Sequence, residues 1–378
     1  MNLDTQDTKT VTIAPRERIR TALAHRQPDR VPFCLGFGPT PEMTAILVAY
    51  ARNKGIDWNR LAEAVTDKVI AQTRYIGPRP PLADLNLTTE IWGIKTRATN
   101  YGGGVYEEFT DFPLAGVEDI PVLDDYPWPD PTHFDYASLR NDILRANPEG
   151  RKAVQIFGGN PFETYSWMTG IEETFLNLAS EPDLVRAALS HITAFLEVKL
   201  DAVLKHSGDL IDIVFIGDDL GGQTGLLLSP QTYRDVIQPF HRRLIEKVRQ
   251  RAPHAQCMFH TDGAVFDIIP DLIEAGIDIL EAIQTDAEGM YPARLKAAYG
   301  KQLSFQGAIS VQQLLPHGDV ATVERECRRL VEILGENGGY IAAPSHAIPV
   351  GTPPENVMAM LGAVLGKEDM QRALEHAV

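Results

Sequence analysis

The sequence predicts an α/β fold, specifically a (β/α)8 TIM-type barrel with a long insertion after the first strand, and three observations lead to this prediction. Short apolar runs recur along the chain, and from about residue 150 onward amphipathic stretches of helical period separate them. The short turns that join hairpin strands are missing between these runs, which favours a parallel sheet. Seven runs are recognisable, so the eighth strand is unassigned, and an open doubly wound sheet is the alternative.

The predicted elements begin after a polar tail, residues 1–12, which we expect to be mobile. Pro15 suits the first turn of a helix that continues to about residue 26. The segment 30–38 is apolar and ends in glycines, which indicates the first buried strand. Residues of about 40–150 include a loop dense in proline, and they are predicted to be an insertion that caps the carboxyl end of the barrel. Residues 13–378 are expected to form one domain.

The other six strands follow in regular order, each with an amphipathic helix after it. One helix start is specific, because Ser229 is a capping residue and Pro230 is a favoured first-turn residue. The six predicted strands are Ala153–Gly158, Ile211–Ile216, Gln256–Phe259, Ile277–Ile283, Leu303–Phe305 and Tyr340–Ala343.

Composition narrows the function classes. The 378 residues include 35 Lys and Arg against 51 Asp and Glu, a net charge of −16, so nucleic acid and anionic membranes are not expected partners. The three cysteines are scattered and form no CxxC pair, which excludes a disulfide framework and a cysteine-only zinc site. The amino-terminal residues are polar and no apolar run reaches 18 residues, so we expect a cytoplasmic protein.

Polar side chains follow almost every predicted strand. Because the carboxyl ends of barrel strands share one face, these side chains are expected to surround one mouth, where barrel enzymes place their active sites. Helix capping explains some aspartates, but it does not explain two histidines and a glutamate inside a strand. The residues concerned are Asn160, Asp218, Asp219, His260, Asp262, Glu281, Gln306 and His346.

Three of these residues suggest a metal site. His260 and Asp262 lie on either side of a strand end, and His346 follows a different strand. Two imidazoles and a carboxylate suit zinc and are also the composition of a non-haem iron triad. If they bind one ion, we expect their side-chain tips to lie within about 6 Å of one another.

Several segments also resemble one known family. They include RERIRTALAHRQPDRVP (16–32), FHTDGAVFDIIPDLIEAGIDILEAIQ (259–284) and GGYIAAPSHAIPVGTPPENV (338–357). The chain is identified by them as a member of the uroporphyrinogen decarboxylase superfamily, which includes corrinoid-dependent methyltransferases. The resemblance implies a (β/α)8 barrel and a homodimer.

The resemblance also bears on the site. The decarboxylase proper has an arginine pair after its first strand, whereas residues 36–43 contain no arginine, so binding of an eight-carboxylate tetrapyrrole is not expected. The methyltransferases bind zinc through a histidine and two cysteines. His260 matches that histidine, while Asp262 and His346 occupy the two cysteine positions. Glu281 lies near a zinc-binding glutamate of more distant relatives, which makes it a fourth ligand or an acid/base group.

The leading hypothesis is therefore metal-assisted methyl transfer from a small, neutral, methoxylated substrate, with a divalent metal, zinc as first choice, and a corrinoid on a partner protein. Asp218, Asp219 and Glu281 are the predicted catalytic groups. One alternative is a metal-free decarboxylase of a small acid, in which Asp67 or the pair Asp218 and Asp219 stabilises positive charge. Another is a barrel that binds a ligand without catalysis.

Substrate contacts are predicted from the same mouth. Asn160 and Gln306 are expected to donate and accept hydrogen bonds, and Phe37, Phe162 and Trp167 are expected to form aromatic walls. Such a lining suits a neutral ring better than a polyanion.

Overall fold

The computed structural model describes residues 13–78, 91–100 and 105–378, with the side chains of 105 and 106 left aside. The predicted tail, 1–12, lies outside the described residues. Eleven strands occur in the described part of the chain: β1 Lys68–Ala71, β2 Arg74–Tyr75, β3 Lys95–Asn100, β4 Val105–Asp111, β5 Phe134–Asp135, β6 Ala153–Gly159, β7 Ile213–Gly217, β8 Gln256–His260, β9 Ile279–Ile283, β10 Ser304–Ile309 and β11 Tyr340–Pro344.

The helices of the described residues surround these strands. They are α1 Pro15–Leu23, α2 Pro41–Arg52, α3 Trp58–Val65, α4 Ile120–Asp124, α5 Tyr136–Ala146, α6 Pro161–Thr169, α7 Ile171–Ser180, α8 Pro182–Ser207, α9 Pro230–Thr232, α10 Gln238–Arg251, α11 Ile269–Ala275, α12 Pro292–Tyr299, α13 Leu314–His317, α14 Val320–Gly335, α15 Pro354–Leu365 and α16 Lys367–Ala377. A π-helix, Tyr233–Ile237, joins α9 to α10, and 3-10 turns occupy Pro131–His133, Gly208–Leu210 and Phe266–Ile268. Among the described helices, none combines the length and apolarity that a membrane crossing needs.

Seven strands form one sheet in the order β1-β6-β7-β8-β9-β10-β11, and every neighbouring pair is parallel. The prediction of a parallel α/β fold is confirmed. The segment around Phe33, predicted to be the first strand, forms a parallel bridge to Ala342 of β11. On its other side, the Asp67 N–H, just before β1, donates to the Phe33 carbonyl at 2.9 Å. This segment therefore bonds to residues beside both edges of the sheet.

The strand that the sequence did not place is β1, and its position corrects the predicted insertion. Because Lys68–Ala71 is a strand of the main sheet, residues 40–150 are not entirely an insertion, contrary to the prediction. The strand escaped recognition because it has only four residues and begins with a lysine after an aspartate. The described additions come after β1, not directly after the first strand, and include the antiparallel β3–β4 hairpin.

The hairpin lies close to the end of β6. The Phe109 ring stacks on Trp167 of α6 at 5.8 Å between centroids. The Leu114 N–H donates to the Met168 carbonyl of the same helix at 2.8 Å. Since α6 follows the carboxyl end of β6 directly, the addition borders that end of the sheet.

Helix α1 covers the opposite, amino ends of the strands. Its Ile19 is fully buried in an apolar cluster with Ile213, Ile279 and Ile341, which lie at or near the start of their strands. Leu23 packs against the same cluster. Burial of branched side chains from several strands and one helix stabilises this end as a closed core.

A charged network lies at the same end, and it contradicts the proposed catalytic role of Asp67. This carboxylate is 1% exposed, accepts from Arg18 at 2.6 Å and from Arg30 at 2.8 Å, and also accepts the Phe33 N–H at 2.8 Å. Because Asp67 precedes β1, it lies at the amino end of the sheet, away from the strand ends that carry the candidate site. Its role is structural.

Candidate metal centre at the carboxyl ends of the strands

One His and two carboxylates converge at the carboxyl ends of β7 and β8. One ligand atom each from Asp219, His260 and Asp262 lies within 4.8 Å of the others, the spacing of groups that bind a common ion. The sheet register explains the meeting, because Gly217 of β7 pairs with His260, which places Asp219 beside it. The Asp262 N–H donates to Asp219 Oδ1 at 2.9 Å and holds the two acidic segments together.

Glu281 orients His260. It pairs with His260 in the β8–β9 register, and its Oε2 lies 2.6 Å from His260 Nδ1. The carboxylate thus binds Nδ1–H, and Nε2 lies on the Asp219 side, 3.7 Å from Oδ1. Burial is the largest single effect and disfavours the charged imidazole, but the charge and hydrogen bond of Glu281 together with the charges of Asp262 and Asp219 outweigh it and raise the pKa of His260 to about 9.

Asp262 has an unsatisfied acceptor. Its Oδ1 is buried and has no hydrogen-bond partner among the described residues. Burial raises the pKa of this carboxyl, and the charge of nearby Asp219 raises it further, while His260 opposes both. A buried carboxylate oxygen without a donor is costly, and a cation bound there would remove the cost. The donor set therefore fits a divalent metal.

His346 is close to the cluster but lies at its edge. Its Nε2 is 3.9 Å from Asp262 Oδ2, and its side chain is 52% exposed. The Phe37 ring lies against both histidines, with centroids 5.1 Å from His346 and 5.2 Å from His260. The side chain of Asp262 thus lies within the predicted 6 Å of both histidines. The three residues whose ligand atoms are closest together, however, are Asp219, His260 and Asp262, with Asp219 in the place predicted for His346.

Asp218 does not reach the mouth, which corrects its predicted catalytic role. The residue is fully buried, and its carboxylate accepts the N–H groups of Phe162 and Glu163 at the start of α6, at 3.0 and 2.7 Å. His241 Nε2 lies 2.5 Å from the same carboxylate. Burial raises the pKa of Asp218 despite these partners. Asp218 fixes the start of α6, and only Asp219 of the pair takes part in the cluster.

Phe37 is the predicted wall residue that the structure places beside the cluster; the other predicted contacts need correction. Phe162 is 3% exposed in the core, and Trp167 stacks on the β3–β4 hairpin. Both belong to a helix whose apolar faces pack inward and against the addition. Asn160 is buried, and its amide donates to Glu163 Oε2 at 3.2 Å.

Gln306 is occupied by an internal partner. It is 2% exposed, and its Oε1 accepts from the Lys68 ammonium at 2.6 Å, as does Gln155 Oε1 at 2.6 Å. These side chains come from the neighbouring strands β1 and β6 and from β10, which is adjacent to neither, so Lys68 links distant strands of the sheet. The Gln306 oxygen is thus already bonded inside the protein, which corrects its predicted role in substrate binding.

The sequence reasoning missed two aromatic side chains beside His260. Phe215 stacks on the His260 ring with centroids 5.6 Å apart, and it contacts Phe37 at 6.2 Å and Phe157 at 6.1 Å. Phe157 and Phe37 are 38% and 49% exposed, so the rings are accessible. Phe157 and Phe215 lie within apolar strands, where they were indistinguishable from core residues. We call Phe37, Phe157 and Phe215 the aromatic wall.

Glu163 was also missed. It lies in the first turn of α6, and the charges of Asp218 and Asp219 act on it. Burial and these two carboxylates raise the pKa of Glu163 to about 8, against the opposing effects of Asn160 and His260. A carboxyl that stays protonated near neutral pH beside a metal-type cluster is a candidate proton donor.

Gly263 permits the close approach of the two loops that carry Asp219 and Asp262. Its φ is +84°, and an added Cβ would lie 2.4 Å from the Gly221 carbonyl carbon. We expect Gly263→Ala to lower the free energy of unfolding by more than about 1 kcal/mol in urea denaturation. Gly225→Ala is the control, since a Cβ there meets nothing within 4 Å. Equal stability of the two variants would contradict this account.

Comparison with known proteins adds to this geometry. The family described as Uroporphyrinogen decarboxylase (URO-D) matches residues 14–366. A uroporphyrinogen decarboxylase of Gloeobacter violaceus is 28% identical over 177 residues, 47% of each chain. A methylated-thiol–coenzyme M methyltransferase of Methanosarcina mazei is 25% identical over 224 residues, 59% of this chain and 55% of the relative. The matches thus span about half the length of these two relatives.

A solved structure shows the same overall fold. The methyltransferase from Methanosarcina mazei superposes with a TM-score of 0.63, covering 93% of this chain and 98% of that chain at 18% sequence identity. At this identity the likeness concerns the fold alone. It extends over nearly the whole chain.

Proposed function

Because this chain belongs to the uroporphyrinogen decarboxylase family, we propose that it is a methyltransferase that takes a methyl group from a small, neutral, methoxylated substrate and passes it to a corrinoid on a separate protein. The observation that carries the proposal is the cluster of Asp219, His260 and Asp262 at the carboxyl ends of the strands. The relative named as a methyltransferase of methylated thiols supports the reaction class.

Asp219, His260 and Asp262 would hold the metal, with His346 available as a further ligand beside Asp262. Nitrogen and carboxylate donors make zinc the first choice. Bound there, a divalent ion would act as a Lewis acid on the leaving oxygen or sulfur of the substrate. The buried Oδ1 of Asp262 and the excess of carboxylates over cations in the cluster support this assignment.

The residues around the cluster have separate tasks. Glu281 fixes the His260 ring through Nδ1 and leaves Nε2 for the metal. The aromatic wall binds the apolar ring of the substrate and excludes water from one side of the site. The Glu163 carboxyl holds a proton that can be given to the departing oxygen as the methyl group leaves.

A decarboxylase of a small acid is the second candidate. It is favoured by relatives named uroporphyrinogen decarboxylase, including that of Azoarcus, 26% identical over 270 residues and covering 66% of this chain. Uroporphyrinogen itself is a poor fit, since residues 36–43 contain no arginine to bind its carboxylates.

We also infer that the sheet closes into a complete (β/α)8 barrel. The segment at Phe33 bonds to β11 on one side and to Asp67, next to β1, on the other. It would therefore be the strand that completes the ring between the two edges.

Elemental analysis tests the metal and, with it, the proposed reaction. Protein purified without chelator is expected to contain close to one divalent ion per chain. Incubation with methoxylated aromatic compounds and a reduced corrinoid protein is then expected to give the absorption change of a methylated corrinoid. A metal-free protein that decarboxylates small acids would replace the proposal with the second candidate.

Metal affinity is expected to rise with pH. The pKa of His260 is raised to about 9, so at neutral pH a metal must displace its proton. We expect affinity to increase roughly tenfold per pH unit between pH 6 and 8, measured by competition with a chromophoric chelator. In Glu281→Gln the metal affinity should stop rising at a lower pH than in the wild type. The variant lacks the charge that stabilises the imidazolium, so the pKa of His260 is lower. A pH-independent affinity would show that His260 does not bind the ion.

A further inference from the structure

A cavity is lined in part by Phe157 of the aromatic wall. It has a volume of about 510 Å3 and lies where the carboxyl end of β1 meets β6, α5 and α8. Its apolar lining includes Tyr75, Phe134, Ile156 and Phe157. Phe157 also belongs to the aromatic wall, so the cavity and the metal cluster lie on two sides of one row of rings.

The charged side chains that are described in the lining of this cavity are all positive. Among its described lining residues there are two cations, Arg74 and Lys199, and no carboxylate, although the whole chain has a net charge of −16. Arg74 is already paired, with Asp135 at 3.0 Å and with Asp142 at 3.7 Å. Neither of these acids is among the lining residues.

Within the described ranges, no anion pairs with Lys199. Its ammonium lies 4.3 Å from the centre of the Phe134 ring and makes no hydrogen bond or ion pair with a described residue. Burial makes the charged form of Lys199 less favourable and lowers its pKa to about 8. A half-buried ammonium in an apolar cavity is poorly solvated, so an incoming anion would gain from pairing with it.

We propose that this cavity is a binding site for an organic carboxylate with an apolar or aromatic body, which pairs with Lys199 and packs against Phe134 and Phe157. An inorganic anion would match the charge but leave the rings without a partner. A neutral ring would match the rings but leave the ammonium unpaired. The inference concerns a site separate from the metal cluster and does not depend on the proposed methyl transfer.

Calorimetric titration with benzoate at pH 7 tests the site. Benzoate is expected to bind the wild-type protein, and Lys199→Met is expected to weaken binding at least tenfold. Lys199→Arg should retain affinity within about threefold, because the charge is kept. Lys205→Met is the matched control, since Lys205 is an exposed lysine on the same helix, and it should bind as the wild type does.

Two further ligands show whether binding needs the negative charge of benzoate, its aromatic ring, or both. Benzamide is expected to bind at least tenfold more weakly than benzoate and to be indifferent to Lys199→Met. Inorganic phosphate is also expected to bind at least tenfold more weakly than benzoate. No binding of benzoate, unchanged binding in Lys199→Met, or phosphate binding as tightly as benzoate would each overturn the proposal.

A measurement on the wild-type protein tests the same site without relying on a variant that could misfold. Reductive methylation with formaldehyde and borohydride modifies accessible amines, and mass spectrometry reports each lysine. Saturating benzoate is expected to slow modification of Lys199 at least fivefold and to leave Lys205 unchanged. Equal modification of Lys199 with and without benzoate would show that the ligand binds elsewhere and would overturn the proposal.

Discussion

His260→Ala is expected to lower the affinity of the protein for a divalent metal by at least about 100-fold, because it removes the nitrogen ligand that Glu281 positions. Glu281→Gln keeps the shape of the side chain but removes the charge at Nδ1, and a loss of about 10- to 100-fold is expected above about pH 9, where competition by the His260 proton is removed in both proteins. Metal content after dialysis, measured by elemental analysis, reports both. His254→Ala is the control, since His254 is exposed.

The same measurement separates two ligand sets. If Asp219, His260 and Asp262 hold the ion, Asp219→Ala should lose metal as His260→Ala does, while His346→Ala should lose less than about threefold. If His346→Ala loses more metal than Asp219→Ala, the ligands are instead His260, Asp262 and His346, as the sequence suggested. Full metal content in His260→Ala would exclude both.

Asp67→Asn is expected to lower the free energy of unfolding by about 2 kcal/mol or more, because the buried Arg18 and the half-buried Arg30 lose their shared carboxylate and keep only Asp29 and Asp369. Arg18 is 3% exposed, so solvent cannot replace the lost partner. The midpoint of urea denaturation reports the change. Asp209→Asn is the control, since it breaks an exposed pair with Arg140 and should cost no more than about 1 kcal/mol.

Metal content and turnover distinguish this structural role from catalysis. Asp67→Asn should retain both below its denaturation midpoint, because the residue lies at the amino end of the sheet. A stable variant of a metal-free protein that has lost the decarboxylation of small acids would instead support the hypothesis in which Asp67 stabilises charge.

The parallel sheet was predictable because strand and helix leave different periods in the sequence. Runs such as Tyr340–Ala343 are apolar on both faces, as expected for buried parallel strands. β1 escaped because its inward residue is Lys68, whose charge is accommodated by two glutamines on other strands. That compensation comes from residues 87 and 238 positions away and leaves no local signal.

The site was predictable in position but not in detail. The HxD pattern and the strand ends located His260 and Asp262, but assigning Asp219 to the cluster required the register between β7 and β8. Asp218 is adjacent in sequence yet points to the start of α6. Phe157 and Phe162 show the same limit: they are equally apolar in sequence, but one faces the open site and the other the core.

The helix that closes the amino ends of the strands has a kinetic consequence. Because Ile19 and Leu23 pack against the amino ends of the strands, the substrate and the corrinoid of the proposed reaction would both have to approach from the carboxyl ends. Under the proposed methyl transfer no described residue carries the methyl group, so it would pass directly from the substrate to the corrinoid, and both must be bound at this end at the same time. Initial-rate plots should therefore show intersecting lines, not parallel ones, and an excess of a reactant that occupies the position of the other should inhibit.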